Sequence, residues 1–317
     1  MTFEVLLSAD ALVPDHDRAV ARLPTELGVR PPAERHVVRS PPAGAIWSFN
    51  RVHPDRGLAP TNLEFLQALP ADPAVPVDDD YAYIPEIGVA QGGRPAKLHS
   101  TPVGVTDLDA ALERLDRTGG RYRLHEPTGE LPFRRVWIGH TREDRGHYDP
   151  ATDGGLWLEL VPAEAHRLPP DPGPAPERRA DGTLIRILAR TILVADLAAT
   201  LGALREHLGI EPESRRTGPD GVDRAVIGFG NPRSARIEVL APGPGAVGFE
   251  ADLFARWGPG PCGVRFAVDG LEAFRRRRDA LGVELVPCAP VWGESRLVRP
   301  LDPALGNAYE FVEWAGD

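Results

Sequence analysis

Glutamates recur in four strand-like stretches of this 317-residue chain. Glu64 stands in "NLEFLQA", Glu159 in "DGGLWLELVP", Glu238 in "ARIEVLAP" and Glu310 in "NAYEFVEW", each among apolar neighbours. A carboxylate so placed is costly unless it is paired, hydrogen-bonded or bound to a cation. Eight of the nine histidines lie in residues 1–166, and only His207 lies beyond. Trp47, Trp137 and Trp157 accompany the first two glutamates, and Asn50 and His140 each follow a tryptophan by three residues. Tryptophans fill a core or wall an apolar ligand; Asn50 and His140 could supply hydrogen bonds at a site's rim. Other chemistries lack their signatures: there is no Gly-rich phosphate loop and no Ser nucleophile elbow.

The elements that must position these residues follow one pattern, four times over. In "HSTPVGVTDLDAALERLDRTGGRYRL" an apolar strand ends at Val105, and Asp107 is placed to cap a helix. Leu108, Ala111, Leu112 and Leu115 form one helical face, and Gly119 or Gly120 supplies the left-handed stop. "RTILVADLAATLGALREHLGI", "ALVPDHDRAVARLPTELGV" and "VRFAVDGLEAFRRRRDALGV" repeat the arrangement around Asp196, Asp15 and Asp269, with Pro24 expected to shorten or kink its helix. Each unit reads strand–helix–strand–strand–strand, with the glutamate in the last strand. The first two copies also share Asp-Arg-Gly at Asp55–Gly57 and Asp144–Gly146. Residues 166–182 are proline-rich and charged without periodicity, as expected of an exposed linker. Residues 70–97 form a long connection in which Tyr81, Tyr83 and Ile84 are expected to pack down.

Composition narrows the partners. A net charge of −10 argues against nucleic acid. No apolar run reaches the roughly 18–20 residues of a membrane span, and residues 1–15 lack a basic n-region, so a cytoplasmic protein is expected. The two cysteines, Cys262 and Cys288, give neither a disulfide framework nor zinc-ligand spacing and are expected to be buried thiols.

The fourfold unit, its Val-x-Asp-Leu helix start and its final-strand Glu resemble the vicinal oxygen chelate superfamily, from about residue 2 to residue 314. That group includes glyoxalase I, bleomycin-resistance proteins and extradiol dioxygenases. The resemblance implies an α+β fold of four βαβββ modules paired into two half-barrel cup domains, 1–165 and 183–317, with residues 166–182 between them. It implies a small-molecule ligand inside a cup and, in catalytic members, a divalent metal held by His or Gln on first strands and Glu on last strands. Strand alternation then turns Leu156, Leu158 and Leu160 toward the helix, and Trp157, Glu159 and Val161 toward the cup. The same parity turns Glu64, Glu238 and Glu310 inward. Two carboxylates sharing a cup need a cation, a proton or arginine between them.

The chain departs from the pattern at the first-strand ligand. The corresponding positions are Ser8, Ser100, Ala189 and Gly263, none a histidine. In the C-terminal pair Arg265 faces inward and could neutralise Glu238 or Glu310. In the N-terminal pair His99 is one residue out of register, and a bulge near Pro102 would turn it inward. His99, Glu64 and Glu159 would then suit iron, manganese, nickel or zinc. Two functions stay open. One is a metal-dependent lyase, isomerase or oxygenase in the N-terminal cup, acting on a small oxygenated, possibly aromatic, molecule, with Glu159 or Glu64 as general base and Trp47, Asn50, Trp137, His140 and Trp157 contacting the ligand. The other is a metal-free binding or drug-sequestering protein. Four modules can complete both cups in one chain, so monomer and homodimer both remain.

Overall fold

A break in the first strand decides the architecture of the N-terminal half. The computed structural model describes residues 3–33, 37–40, 44–53, 58–69, 88–89, 91–127, 132–141, 147–166, 177–291 and 293–316. Asp55–Gly57, Asp144–Gly146, Tyr81, Tyr83 and Ile84 lie outside them, as does most of the expected linker. β1 (Phe3–Leu6) pairs antiparallel with β6 (Thr101–Val105). After Leu7 and Ser8 the chain re-enters a different sheet, where β2 (Ala9–Leu12) runs parallel to β5 (Asn62–Ala68). One sheet has the order β1-β6-β9-β8-β7, with β7 (Tyr122–His125), β8 (Arg135–Ile138) and β9 (Leu158–Pro162). The other has the order β2-β5-β4-β3, with β3 (Val37–Ser40) and β4 (Ala45–Arg51). Helix α1 (His16–Glu26) follows β2, and α2 (Leu108–Thr118) follows β6.

In the C-terminal half the equivalent strand is unbroken. β10 (Thr183–Leu193) pairs antiparallel with β14 (Gly260–Asp269) and parallel with β13 (Arg236–Pro242). One eight-stranded sheet results, β11-β12-β13-β10-β14-β17-β16-β15. Its other strands are β11 (Ser214–Thr217), β12 (Val222–Ile227), β15 (Val286–Val291), β16 (Glu294–Asp302) and β17 (Asn307–Glu313). Helix α3 (Leu197–Ala203) ends in a π-helical turn, Leu204–Leu208; α4 (Phe249–Trp257) and α5 (Leu271–Asp279) flank β14. The order strand, helix, three strands thus runs four times, with α4 added between the third and fourth units. The α+β fold is built of βαβββ modules whose sheets curve into half-barrels.

Helix starts obey the caps in three units. Asp15, Asp107 and Asp196 accept from the backbone amides of Arg18, Ala110 and Ala199 at 3.0, 2.9 and 3.0 Å. The fourth differs: Asp269 ends β14 and accepts from the amides of Arg179 and Ala180, while Glu313 takes the Gly270 and Leu271 amides of α5. Gly119 and Gly209 stop their helices at φ 68° and 70°, where a side chain would be strained. Pro24 stays inside α1, which runs on to Glu26. Cys262 is buried, but Cys288 is only half-buried, against expectation.

The helix-covered faces of both halves share one apolar cluster, in which Leu156, Leu158 and Leu160 meet Leu108, Ala111 and Leu115. Each fully buried leucine contributes about 1.5–3 kcal/mol. Polar contacts sew the halves together at its rim. Arg22 reaches Asp302 at 2.7 Å, Arg299 reaches Glu26 at 2.7 Å, and Thr200 donates to the Gly154 carbonyl at 2.8 Å.

On the opposite face, the C-terminal cup is closed from within. Leu253 and Phe254 of α4 pack on Leu193, Val222, Leu240 and Cys262. Beside them runs an alternating chain, Glu238, Arg265, Glu310, Arg296, Glu250, all buried. Arg265 pairs with both glutamates, at 3.1 Å to Glu310, and Arg296 lies 3.0 Å from Glu310. Burial alone would raise the Glu310 carboxyl, but the two guanidiniums outweigh it and hold it below the ordinary range. Arg265→Met takes the arginine from Glu238 and leaves Glu310 to share Arg296 with Glu250, so it is expected to cost about 3–5 kcal/mol in urea unfolding. Adding Glu238→Gln and Glu310→Gln should recover most of that loss.

Candidate active site in the N-terminal hollow

Asp10 of β2 and Glu64 of β5 are register partners across a parallel pair, so their side chains leave the sheet on one face. Glu159 of β9 is the register partner of Trp137 on one side and Pro102 on the other. Its carboxylate accepts from the Ser100 hydroxyl at 2.6 Å and lies 3.3 Å from Arg135 Nη1. Asp10 is 1% exposed, and its Oδ2 accepts the backbone amides of His99 at 3.0 Å and Ser100 at 2.9 Å. It thereby fixes the turn that carries the Ser100 hydroxyl to Glu159. Asp10 lies in a first strand, outside the last-strand glutamate pattern; its signal in the sequence is the alternation Ser8, Asp10, Leu12 on the hollow-facing side. Arg135 shares parity with Trp137 and likewise lies outside that pattern.

The electrostatics turn on Glu64. Burial first, then the negative charges of Asp10 and Glu159, push its carboxyl up to about 8. Arg135 lowers it only partly, being paired with Glu159. Asp10, Glu64 and Glu159 therefore share this region, and at neutral pH Glu64 relieves their repulsion by keeping its proton.

His99 precedes β6 rather than lying in it. Its ring meets Trp137 edge-on at 5.0 Å, and its Nδ1 is 3.6 Å from Asp10. The expected bulge at Pro102 is absent: β6 and β9 pair in regular register, and the irregularity falls between Phe3 and Val5 of β1. Nor do His99, Glu64 and Glu159 assemble as a ligand set. Among the described residues no three His, Cys, Asp or Glu side chains are grouped to hold a metal. The donor chemistry agrees, because Glu159 has one oxygen toward Ser100 and the other toward Arg135, whose charge opposes a nearby cation. These residues do not fit the expected divalent metal.

The aromatic residues divide. Trp137 and Trp157 are buried and, with Leu66 and Leu98, form an apolar plug between the two sheets. Trp157 has φ 55° and precedes β9, so the turn sets its direction rather than strand alternation. Asp153 builds that turn, accepting from the Tyr148 hydroxyl and the Leu158 amide, and Tyr148 stacks on Trp157 at 3.6 Å. His140 sits in the same plug, 5.7 Å from Trp157, and burial pushes its pKa down to about 4. Trp47 is half-buried at the plug's edge beside Leu12. Asn50 does not face the hollow. It is the register partner of Leu63, which lies in the helix-side core, and it donates to the Leu63 carbonyl at 2.9 Å. Its matching place after Trp47 holds in sequence only, because β8 has already ended where His140 stands.

No family model matches the chain, and no curated protein sequence does. Among solved structures it is similar to a mutant of 4-hydroxymandelate synthase from Streptomyces coelicolor, with TM-score 0.62 and 17% identity over 100% of this chain and 94% of that one. Methylmalonyl-CoA epimerase from Mycobacterium tuberculosis matches 42% of this chain and 89% of its own, with 25% identity and TM-score 0.36. The first likeness spans the whole chain and shows the fold.

Glu64 sets a pH dependence. Its folded pKa near 8 exceeds the ordinary 4.5. The folded state therefore holds the extra proton, and stability falls as pH rises between those values. Glu64→Gln keeps the neutral shape and removes that loss. It is expected to be more stable than the parent at pH 9, by on the order of 1–3 kcal/mol, and near parity at pH 4. Urea unfolding across pH 4–9 checks it, and parallel curves would sink the assignment.

Proposed function

We propose that this chain, which has the fold of the vicinal oxygen chelate superfamily, is an enzyme that moves a proton on a small oxygenated molecule in its N-terminal hollow. One observation carries the reading: Asp10, Glu64 and Glu159, from β2, β5 and β9, face one region with Arg135 as counter-charge. A carboxyl that titrates near neutrality is matched to general acid–base work, being both occupied by a proton and able to release it. Glu64 takes that role. Glu159, fixed by Ser100 and Arg135, stands with Asp10 among the groups that keep Glu64 high. The Ser100 hydroxyl gives its proton to Glu159 and so has none for the substrate. Trp47 and Leu12 offer the half-buried apolar wall, while Trp137, Trp157 and His140 shape the hollow from behind. In this reading residues 1–165 and 183–317 are two domains, and the chemistry belongs to the first.

A neutral hydroxyketone or related carbonyl compound suits Glu64, which can take a proton from the carbon beside the carbonyl while Trp47 and Leu12 cover the apolar part. Abstraction of a proton beside the carbonyl by Glu64, and its return to the substrate at the same or the neighbouring carbon, makes the enzyme an isomerase. The convergence of Asp10, Glu64 and Glu159 also favours a second reading, in which the hollow sequesters a small organic cation without chemistry.

Hydrogen–deuterium exchange in D2O separates the two. With small hydroxyketones, the full chain is expected to exchange the carbon-bound proton beside the carbonyl, at a rate rising with pH through about 8 as Glu64 ionises. Glu64→Gln should lower that rate by about a hundredfold or more. Exchange unaffected by the substitution refutes the enzyme reading, and binding of an organic ammonium ion without exchange supports the second.

A further inference from the structure

A groove of about 1030 Å³ lies between the exit of α1, the end of β4 and the last turn of α5. Its charge contradicts that of the chain. The protein carries −10 overall, yet the described residues lining this groove include Arg30, Arg51, Arg277 and Arg278 and no Asp or Glu. None of the four is in a salt bridge among the described residues, whereas Arg22, Arg265, Arg296 and Arg299 all are. Arg30, Arg51 and Arg277 are exposed.

Arg278 is the unusual member. It is 8% exposed, its Nη1 donates to the carbonyls of Pro24 and Thr25, and its Nε has no hydrogen-bond partner. Its guanidinium lies 5.1 Å from the Phe274 ring. Burial and the neighbouring Arg277 both disfavour the Arg278 charge, and Glu26, already engaged by Arg22 and Arg299, offsets only part of that. The groove is not wholly polar: Phe274 lies beside Arg278, and Phe49 is 38% exposed at the end of β4. This combination has a natural complement. A phosphate monoester carries nearly two charges and three acceptor oxygens, enough to engage several guanidiniums at once. An attached aromatic or apolar body would cover the phenylalanines.

We propose that this groove is a binding site for a small phosphate monoester with an apolar body, held by Arg30, Arg51, Arg277 and Arg278 against Phe49 and Phe274. The groove's lining includes none of Asp10, Glu64 and Glu159, and the proposal does not depend on the reaction assigned to them. Its size is that of a small-molecule pocket.

Calorimetric titration of the full chain with phenyl phosphate at low salt tests it. Binding is expected, and Arg51→Ser with Arg277→Ser should weaken it about tenfold or more, since charge-assisted contacts are lost. Both arginines are exposed, so an unchanged melting temperature shows that the variant remains folded. Added sodium chloride should weaken the parent's binding too. Three results overturn the proposal: no binding at millimolar phenyl phosphate, equal binding by the double variant, or benzoate binding as tightly as phenyl phosphate. Inorganic phosphate binding as tightly as the phenyl ester overturns the apolar part of the assignment.

Discussion

Every carboxylate placed on the inner face of a curved sheet has to be neutralised, and the two halves of this protein meet that constraint differently. In the C-terminal half the answer is arginine. Glu238, Glu310 and Glu250 alternate with Arg265 and Arg296, and α4 seals the apolar part of the cup. Such a network is worth little as net stability compared with an apolar core, because desolvating five charges offsets most of their attraction. It does fix the cup's interior, since removing either arginine deprives two buried carboxylates of a partner they share. In the N-terminal half Arg135 serves Glu159, and the remaining imbalance falls on Glu64, which keeps a proton. A salt bridge is inert over the working pH range; a carboxyl near 8 is not. The contrast follows from where the arginines stand on one scaffold.

The broken first strand explains why the N-terminal half can do this. In the C-terminal half β10 lies continuously between β13 and β14, and its cup-facing side meets the arginine network. In the N-terminal half the chain leaves one sheet at Leu6 and joins another at Ala9. Asp10 then stands beside Glu64 and reaches across to the amides of His99 and Ser100, which belong to the approach of β6. The gap between the sheets is bridged by hydrogen bonds to a carboxylate rather than by a strand ladder. That bridge raises the local negative charge and orients Ser100 toward Glu159.

Much of the fold was legible in the sequence, because its signals are periodic and local. The caps Asp15, Asp107 and Asp196, the stops Gly119 and Gly209, and the split of Leu156, Leu158 and Leu160 from Glu159 all follow from helix and strand geometry. The site was legible only where alternation governs. Glu64 and Glu159 lie within regular strands, and Arg265 was rightly matched to both its glutamates. Trp157, His99 and His140 lie just outside strands, where turn geometry sets direction and parity carries no information. Asn50 fails for another reason: its likeness to His140 is one of sequence offset, and the two strands end at different places. The fourth cap passed from Asp269 to Glu313, a residue 43 positions after Gly270, which no local pattern registers.

The halves are also physically continuous. Arg190 of β10 is fully buried on the helix side of its sheet, and its Nη1 donates to the Asp10 carbonyl at 2.8 Å. The Asn307 amide donates to the same carbonyl at 3.3 Å. From there the chain of contacts runs through the Asp10 carboxylate to the amides of His99 and Ser100, and through the Ser100 hydroxyl to Glu159. Burial lowers the pKa of Arg190, yet the nearby Asp10 charge offsets part of that cost. A cup closed by its own helix and neutralised by its own arginines thus still acts on the open one, because it holds the backbone of the residue from which the hollow's hydrogen bonds begin.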